Sequence, residues 1–357
     1  MKEKFKRCLS EFFDDDKSEK VIFIGSGFSK NLGLPTWEEF AYMHLDILKD
    51  NNKINFETYE LLKKENFRTV ISMAKHNINK DNNLKERANK MYEEIFKISY
   101  NENEFDAIAN IDKLSEASNK DFKSIVNFRE KVNRIKRIKA ENEIFKQIYD
   151  LNMINVTTNY DDILDILAED NNEIISSDSK RSVNKVFYSE KDFKLVDSNP
   201  SIIKSGQVFH IHGSINEIST MIVSNEDYIV RYWSGENVYK NFLKKIFEEY
   251  NVIFLGYSLQ ELEILNYLFE GEKNKLDKTD KQRILILDSF DYEIEKLDFL
   301  SRYYEDNYCI KLCTYSKSKM GYNEITNTVR LIKEIKNDIE EKKEGYKRCL
   351  ELIKMIN

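Results

Sequence analysis

The chain has four cysteines, Cys8, Cys309, Cys313 and Cys349, with no C-x-x-C pair and no second pair near enough to complete a four-thiolate zinc site. Structural zinc is therefore not expected, and a reduced, cytoplasmic setting is. No segment approaches the roughly twenty apolar residues that a bilayer span requires. The amino terminus opens basic, MKEKFKRCLSEFFDDDK, but Phe5, Leu9, Phe12 and Phe13 are spaced helically among charges, which argues against a signal peptide. Dense basic runs are also scarce, and a net charge of -7 with both signs mixed along the chain disfavours nucleic acid as a direct partner. Internal repeats and low-complexity linkers are absent.

What is present is ample material for a core. With 357 residues, 41% hydrophobic and 33% charged, the chain suits one large domain with an insertion, or two domains sharing a core. Short β-rich apolar runs recur: VIFI at 21–24, INVT at 154–157, VFHI at 208–211, VIFL at 252–255, ILIL at 284–287, and a weaker CIKLCTY at 309–315. Such runs, apolar on both faces and separated by helical stretches, predict an α/β fold: a Rossmann-like open parallel sheet of about six strands with helices on both faces. Between the first two runs lie about 130 residues, far more than one crossover helix needs. A helical insertion is expected over residues 40–150, with Ile125, Phe128, Val132, Ile135, Ile138, Phe145 and Ile148 at helical spacing. The basic cluster at 134–139 reads as a solvated helix face. After the sheet, Ile325, Val329, Ile332, Ile335 and Ile339 predict an amphipathic helix, continued by Leu350, Leu352, Ile353, Met355 and Ile356 in a tail over 321–357. That tail either packs on its own domain or joins two subunits.

Four segments carry candidate chemistry. In VIFIGSGFSKNLGLPTW, Gly25-Ser26-Gly27 follows a strand, so the backbone can turn sharply and approach a phosphate, with free N–H groups at the next helix start and a hydroxyl at Ser29. A purely structural turn is the competing reading. Lys30 stands where the dinucleotide fingerprint needs its third glycine, and no G-K-[ST] follows to make a P-loop. VTTNYDDIL puts Thr158, Asn159, Tyr160 and Asp161 just beyond a strand's carboxyl end, the edge where open α/β sheets bind ligands, although Asn and Asp are also ordinary turn and cap residues. VFHIHGSIN carries two of the four histidines, His210 and His212, in alternation that would face one side of a strand. A metal pair lacks a third ligand nearby, leaving acid–base or hydrogen-bonding roles. Lastly, VIFLGYSLQELEIL closes another strand with Gly256 and Ser258, which could reach a ribose or phosphate.

In this order, GSGFS with GLPTW, TTNYD, HIHGS, the NEDY at 225–228 and FLGYSLQE resemble the sirtuin-like family, and within it the zinc-less branch found in bacterial anti-phage defence proteins. The resemblance spans residues 18–320, so that 1–39 and 151–320 would form the NAD-binding catalytic domain. It implies that Gly25, Ser26, Gly27, Phe28 and Ser29 surround the pyrophosphate and neighbouring ribose of NAD. Pro35 and Trp37 would shape the loop over the nicotinamide ribose. Thr158 and Tyr160 would also contact NAD, Asn159 and Asp161 would hold nicotinamide and an attacking water, and His212 would bond the ribose hydroxyls or act as base. Gly256 and Ser258 would line the adenosine side. Glu261 stands where members of this branch often have Asp. Residues 160–210 lack the four-cysteine zinc module that frames the acyl-lysine cleft of sirtuin deacylases. The resemblance thus implies an NAD hydrolase, with NAD as substrate and no metal, acting as an NAD-depleting effector gated by homo-oligomerisation or by a separately encoded sensor or ATPase. A binding module for NAD or ADP-ribose without turnover, and an NAD-dependent deacylase or ADP-ribosyltransferase, are the alternatives.

Overall fold

The β-branched and aromatic runs pair as parallel strands in a computed structural model that describes residues 2–30, 33–98, 144–170, 186–235, 237–259, 261–273, 281–318, 321 and 324–356. Helix α1 (Lys2–Asp14) precedes β1 (Lys20–Ile24) and the short α2 (Ser26–Ser29). Helices α3 (Trp37–Asp50), α4 (Phe56–Leu62), α5 (Phe67–Ile78) and α6 (Asn82–Phe96) come before β2 (Ile154–Thr157). There follow α7 (Ile163–Asp170), β3 (Val186–Phe187), α8 (Glu190–Ser198), β4 (Val208–His210), α9 (Asn225–Trp233) and α10 (Val238–Glu249). The chain ends with β5 (Asn251–Leu255), α11 (Leu262–Lys273), β6 (Arg283–Ser289), α12 (Ile294–Tyr308), β7 (Ile310–Ser316) and α13 (Glu324–Ile356).

Among the described residues the sheet has seven parallel strands in the order β3-β4-β2-β1-β5-β6-β7. The strand beyond the six apolar runs is β3, two residues long and therefore invisible as a run. It holds the edge by pairing with β4 and by stacking the rings of Phe187 and Phe209, 4.6 Å apart. The chain leaves β1 for β2, β4 and β3 on one side and returns past it for β5, β6 and β7. This reversal beside β1 is where open α/β sheets leave a crevice at their carboxyl ends.

Side chains alternate across the sheet and feed two cores. Ile22, Ile24, Ile253, Leu255, Ile284 and Ile286 face one way, against α1, α3, α5, α6 and α13. Val21, Phe23, Val252, Phe254 and Leu285 face the other way, against α8 to α12. Phe23 lies among the rings of Phe247, Phe254 and Tyr257, with centroids 5.0 to 6.2 Å away. Truncating a ring so enclosed costs about 3–5 kcal/mol.

The helices between β1 and β2 include α3 to α6, and residues 144–149 are again helical, with Phe145 and Ile148 buried. Ile125, Phe128, Val132, Ile135, Ile138 and the basic cluster at 134–139 lie outside the described residues. Thr36 caps α3 through a box: its hydroxyl accepts from Glu39 N at 3.2 Å and Glu39 Oε2 accepts from Thr36 N at 2.7 Å. On α13, Ile325, Val329, Ile332, Ile335 and Ile339 are buried in the first core, so this half of the tail packs on its own domain. Residues 340–351 are largely exposed, with Lys343 reaching Asp16 at 2.7 Å.

Candidate functional site

The glycines of the β1–α2 turn serve a close backbone contact. A Cβ on Gly25 would lie 2.6 Å from the Gly256 carbonyl oxygen, and one on Gly27 would lie 2.8 Å from it. Gly256 has φ +63°, and a Cβ there would lie 2.4 Å from Phe28 N. The turns after β1 and β5 therefore interlock. Their amides are already bonded: Gly25 N to Leu255 O at 3.1 Å, Gly27 N to Gly256 O at 2.9 Å and Phe28 N to Gly25 O at 3.0 Å. The Phe28 ring turns inward, edge-on to Phe145 at 4.7 Å. What the turn offers outward is Ser26 and Gly27, which line a groove of about 450 Å³ with Lys30, Thr36, Trp37 and Asn66.

Next to that groove, Ser26, Thr36 and Trp37 also border a smaller cavity of about 30 Å³, walled by Pro35, Phe40, Phe96, Ser29 and residues 158–161. The end of β2 builds its polar wall. Thr157 Oγ1 donates to Ile24 O at 3.0 Å and accepts from Asn159 N at 3.0 Å, turning the chain tightly after the strand. Asn159 Nδ2 donates to Ser29 Oγ at 2.7 Å and to Gly25 O at 3.3 Å, and Ser29 Oγ donates to Asp161 Oδ2 at 2.9 Å. Asn159 Oδ1 is buried without a hydrogen-bond partner among the described residues. Burial raises the Asp161 carboxyl to about 6, against the Ser29 hydrogen bond and the nearby His210. Thr158 and Tyr160 are buried beside it, Tyr160 with its hydroxyl on Ile222 O and its ring edge-on to Trp37 at 6.0 Å.

The two histidines of H-x-H do not face one side. β4 ends at His210 and His212 lies in the following turn, so the two-residue period stops between them. The Nδ1 of His210 bonds Asn159 O at 2.9 Å and its Nε2 bonds Asp165 Oδ1 at 2.7 Å. His212 is fully buried in a different setting, between Tyr228 and Tyr232 at ring distances of 5.1 and 5.9 Å. Its Nδ1 is 3.4 Å from Tyr228 Oη, and its Nε2, 3.6 Å from Glu261 Oε2, has no hydrogen-bond partner among the described residues. Burial, with Arg231 and Arg68 nearby, holds the His212 imidazole well below its usual range and so neutral. No group of three His, Cys, Asp or Glu among the described residues is placed to hold a metal.

Glu261 is buried, accepts from Tyr257 Oη at 2.8 Å and is pushed up to about 7 by burial. It follows Leu259, a non-glycine residue at φ +49°, a left-handed conformation of the kind that collects at functional sites. Arg68 of α5 stacks over the Tyr228 ring at 4.4 Å and pairs with Glu263 at 3.1 Å, joining the helices after β1 to this side of the site. Arg68 carries no motif and could not be picked from sequence. Tyr228 and Glu261 were visible in the NEDY and GYSLQE stretches, but without a role. Ser258 is exposed and touches neither cavity; its carbonyl faces Tyr304 Oη at 3.4 Å.

Residues 154–313, from the start of β2 into β7, match the family model described as SIR2-like domain. This chain carries a sirtuin-like domain. No curated protein matches the chain. The match supports a sirtuin-type, NAD-related function. The sirtuin-like span supplies Asn159, Asp161, His212, Gly256 and Glu261, while the glycine turn, Trp37 and Arg68 come from before it. Two buried polar atoms lack hydrogen-bond partners among the described residues: Asn159 Oδ1, an acceptor whose residue lines the small cavity and which suits the amide N–H of NAD, and His212 Nε2, whose residue lines neither cavity and whose role as donor or acceptor follows the ring's tautomer. No helix among the described residues is long and apolar enough to cross a membrane.

Proposed function

We propose that the site cleaves the nicotinamide–ribose bond of NAD, releasing nicotinamide and ADP-ribose. The observation that carries this reading is Asn159, buried and held by Ser29 and Gly25, with its Oδ1 unpartnered beside a small aromatic-walled cavity. In such a cleavage the C–N pair leaves with nicotinamide, already a good leaving group, and positive charge develops on the ribose. Water then adds to the sugar carbon and gives up a proton. The protein must hold the ring, stabilise the charge and position the water. Asn159 would hold the nicotinamide amide. Asp161, with its carboxyl at about 6 and so largely ionised at neutral pH, would orient the water and take its proton. His212, kept neutral, would accept from a ribose hydroxyl. The groove beside Gly27 and Lys30 would carry the phosphates, and Gly256 and Ser258 the adenosine side.

The resemblance supports the wider reading of a cytoplasmic, NAD-depleting anti-phage effector. Homo-oligomerisation or a separate sensor or ATPase would gate it, and residues 1–39 and 151–320 would form its catalytic unit. The test is nicotinamide release from NAD across a wide range of protein concentration, with Asn159→Ala as control. Release that rises with concentration and falls by roughly a hundredfold or more in the variant is expected. The sealed position of His212 under Tyr228 and Tyr232 favours a second reading, NAD binding without turnover. Tight binding with no nicotinamide released at any concentration would select it.

A further inference from the structure

Two buried histidines with different partners show what His210 does. On α3, His44 Nδ1 meets Phe40 O at 2.8 Å and its Nε2 meets Tyr92 Oη at 2.7 Å. A carbonyl only accepts, but a phenol can donate, so one neutral tautomer satisfies both, and burial lowers His44 to about 4. His210 differs in one partner. Its Nδ1 also meets a carbonyl, Asn159 O, but its Nε2 meets the Asp165 carboxylate, whose other oxygen accepts from Asn216 Nδ2 at 2.9 Å. With an acceptor at each nitrogen, only the doubly protonated ring makes both bonds.

We infer that His210 is a positioning residue: as an imidazolium clamped between the Asn159 carbonyl and the Asp165 carboxylate, it fixes the 158–161 segment so that the Asn159 amide faces the cavity. Its effect on turnover rests on the NAD reading above; the clamp itself does not. The charged groups acting on it are Asp165 from α7 and Asp161 from the β2–α7 turn, both buried. Burial alone would lower His210, but the charge and hydrogen bond of Asp165, then the Asn159 carbonyl and Asp161, carry it up to about 8. The Ser29 hydrogen bond and then the positive charge of His210 pull the Asp161 carboxyl down against its burial. A folded value raised from 6.5 to about 8 means that the clamp's contribution is complete below 6.5 and is lost as pH rises through about 8.

Spectra of the full chain ¹⁵N-labelled at histidine and tyrosine, without NAD, over the range in which imidazole titrates, test the clamp directly. The signal missing in His210→Gln should show two protonated nitrogens at neutral pH, and the Tyr160 amide, which shares the Asn159 peptide group, should move with its titration. In Asp165→Asn both should titrate about one or more pH units lower. A neutral ring at neutral pH, or a Tyr160 amide that ignores the His210 titration, would overturn the inference. In turnover, nicotinamide release should fall as pH rises through about 8, and Asp165→Asn should move that fall downward while keeping activity at lower pH. A fall that stays in place overturns the clamp's part in catalysis. His210→Gln should lose roughly tenfold or more below about pH 8 and show no fall of its own as pH rises through that value. If His210→Gln fails to fold, Asp165→Asn still decides. If no protein releases nicotinamide, the NAD reading fails while the spectra still decide the clamp.

Discussion

Replacing Gly256 with alanine tests whether the glycines after β1 and β5 are there for backbone packing. Two penalties arise together. The left-handed φ of +63° costs an L-residue about 1–2 kcal/mol. The new methyl would lie 2.4 Å from Phe28 N, 2.8 Å from Phe28 Cβ and 3.0 Å from Phe28 Cα, so α2 must move, an overpacking of about 1–3 kcal/mol. Gly235 separates the two, since it has φ +59° and nothing within 4 Å of its Cβ position. Both substitutions stiffen the unfolded chain alike, so the difference between Gly256→Ala and Gly235→Ala should be the packing part, about 1–3 kcal/mol. Urea denaturation of the two variants beside the parent, compared at equal slope, measures it. Because Gly27 N donates to Gly256 O at 2.9 Å, nicotinamide release should fall in Gly256→Ala and persist in Gly235→Ala. Equal midpoints for the two variants would refute the interlocked turns.

His44, neutral in the fold at about 4 against 6.5 unfolded, should make the protein acid-sensitive. Its contribution is complete above 6.5 and lost as pH falls toward 4, about 3 kcal/mol in all, and His44→Gln should flatten that part of the denaturation profile. Gly345, exposed within α13 with nothing near its Cβ position, should stabilise the chain by about 0.5–1 kcal/mol when changed to alanine, read as a higher urea midpoint.

Six apolar runs in the sequence located six of the seven strands, because a parallel strand buried on both faces needs a continuous apolar stretch. β3 escaped because two residues leave no pattern. The motifs placed Asn159, Asp161 and His212 near strand ends for the same local reason. What a sequence does not carry is which partner each polar atom meets. Gly25 and Gly27 read as a phosphate turn, and in the fold their amides go to Leu255 and Gly256 across two strands adjacent only in space. His210 and His212 read as a pair, and the end of β4 between them sent one to Asp165 and the other to Tyr228 and Glu261. His44 and His210 are the same residue type, both fully buried, yet one is neutral and one charged. Local pattern determined where strands and turns form, since propensity and burial act over a few residues; charge state and hydrogen-bond partners were decided by the tertiary structure, because a buried polar atom takes its character from whatever distant chain is packed against it.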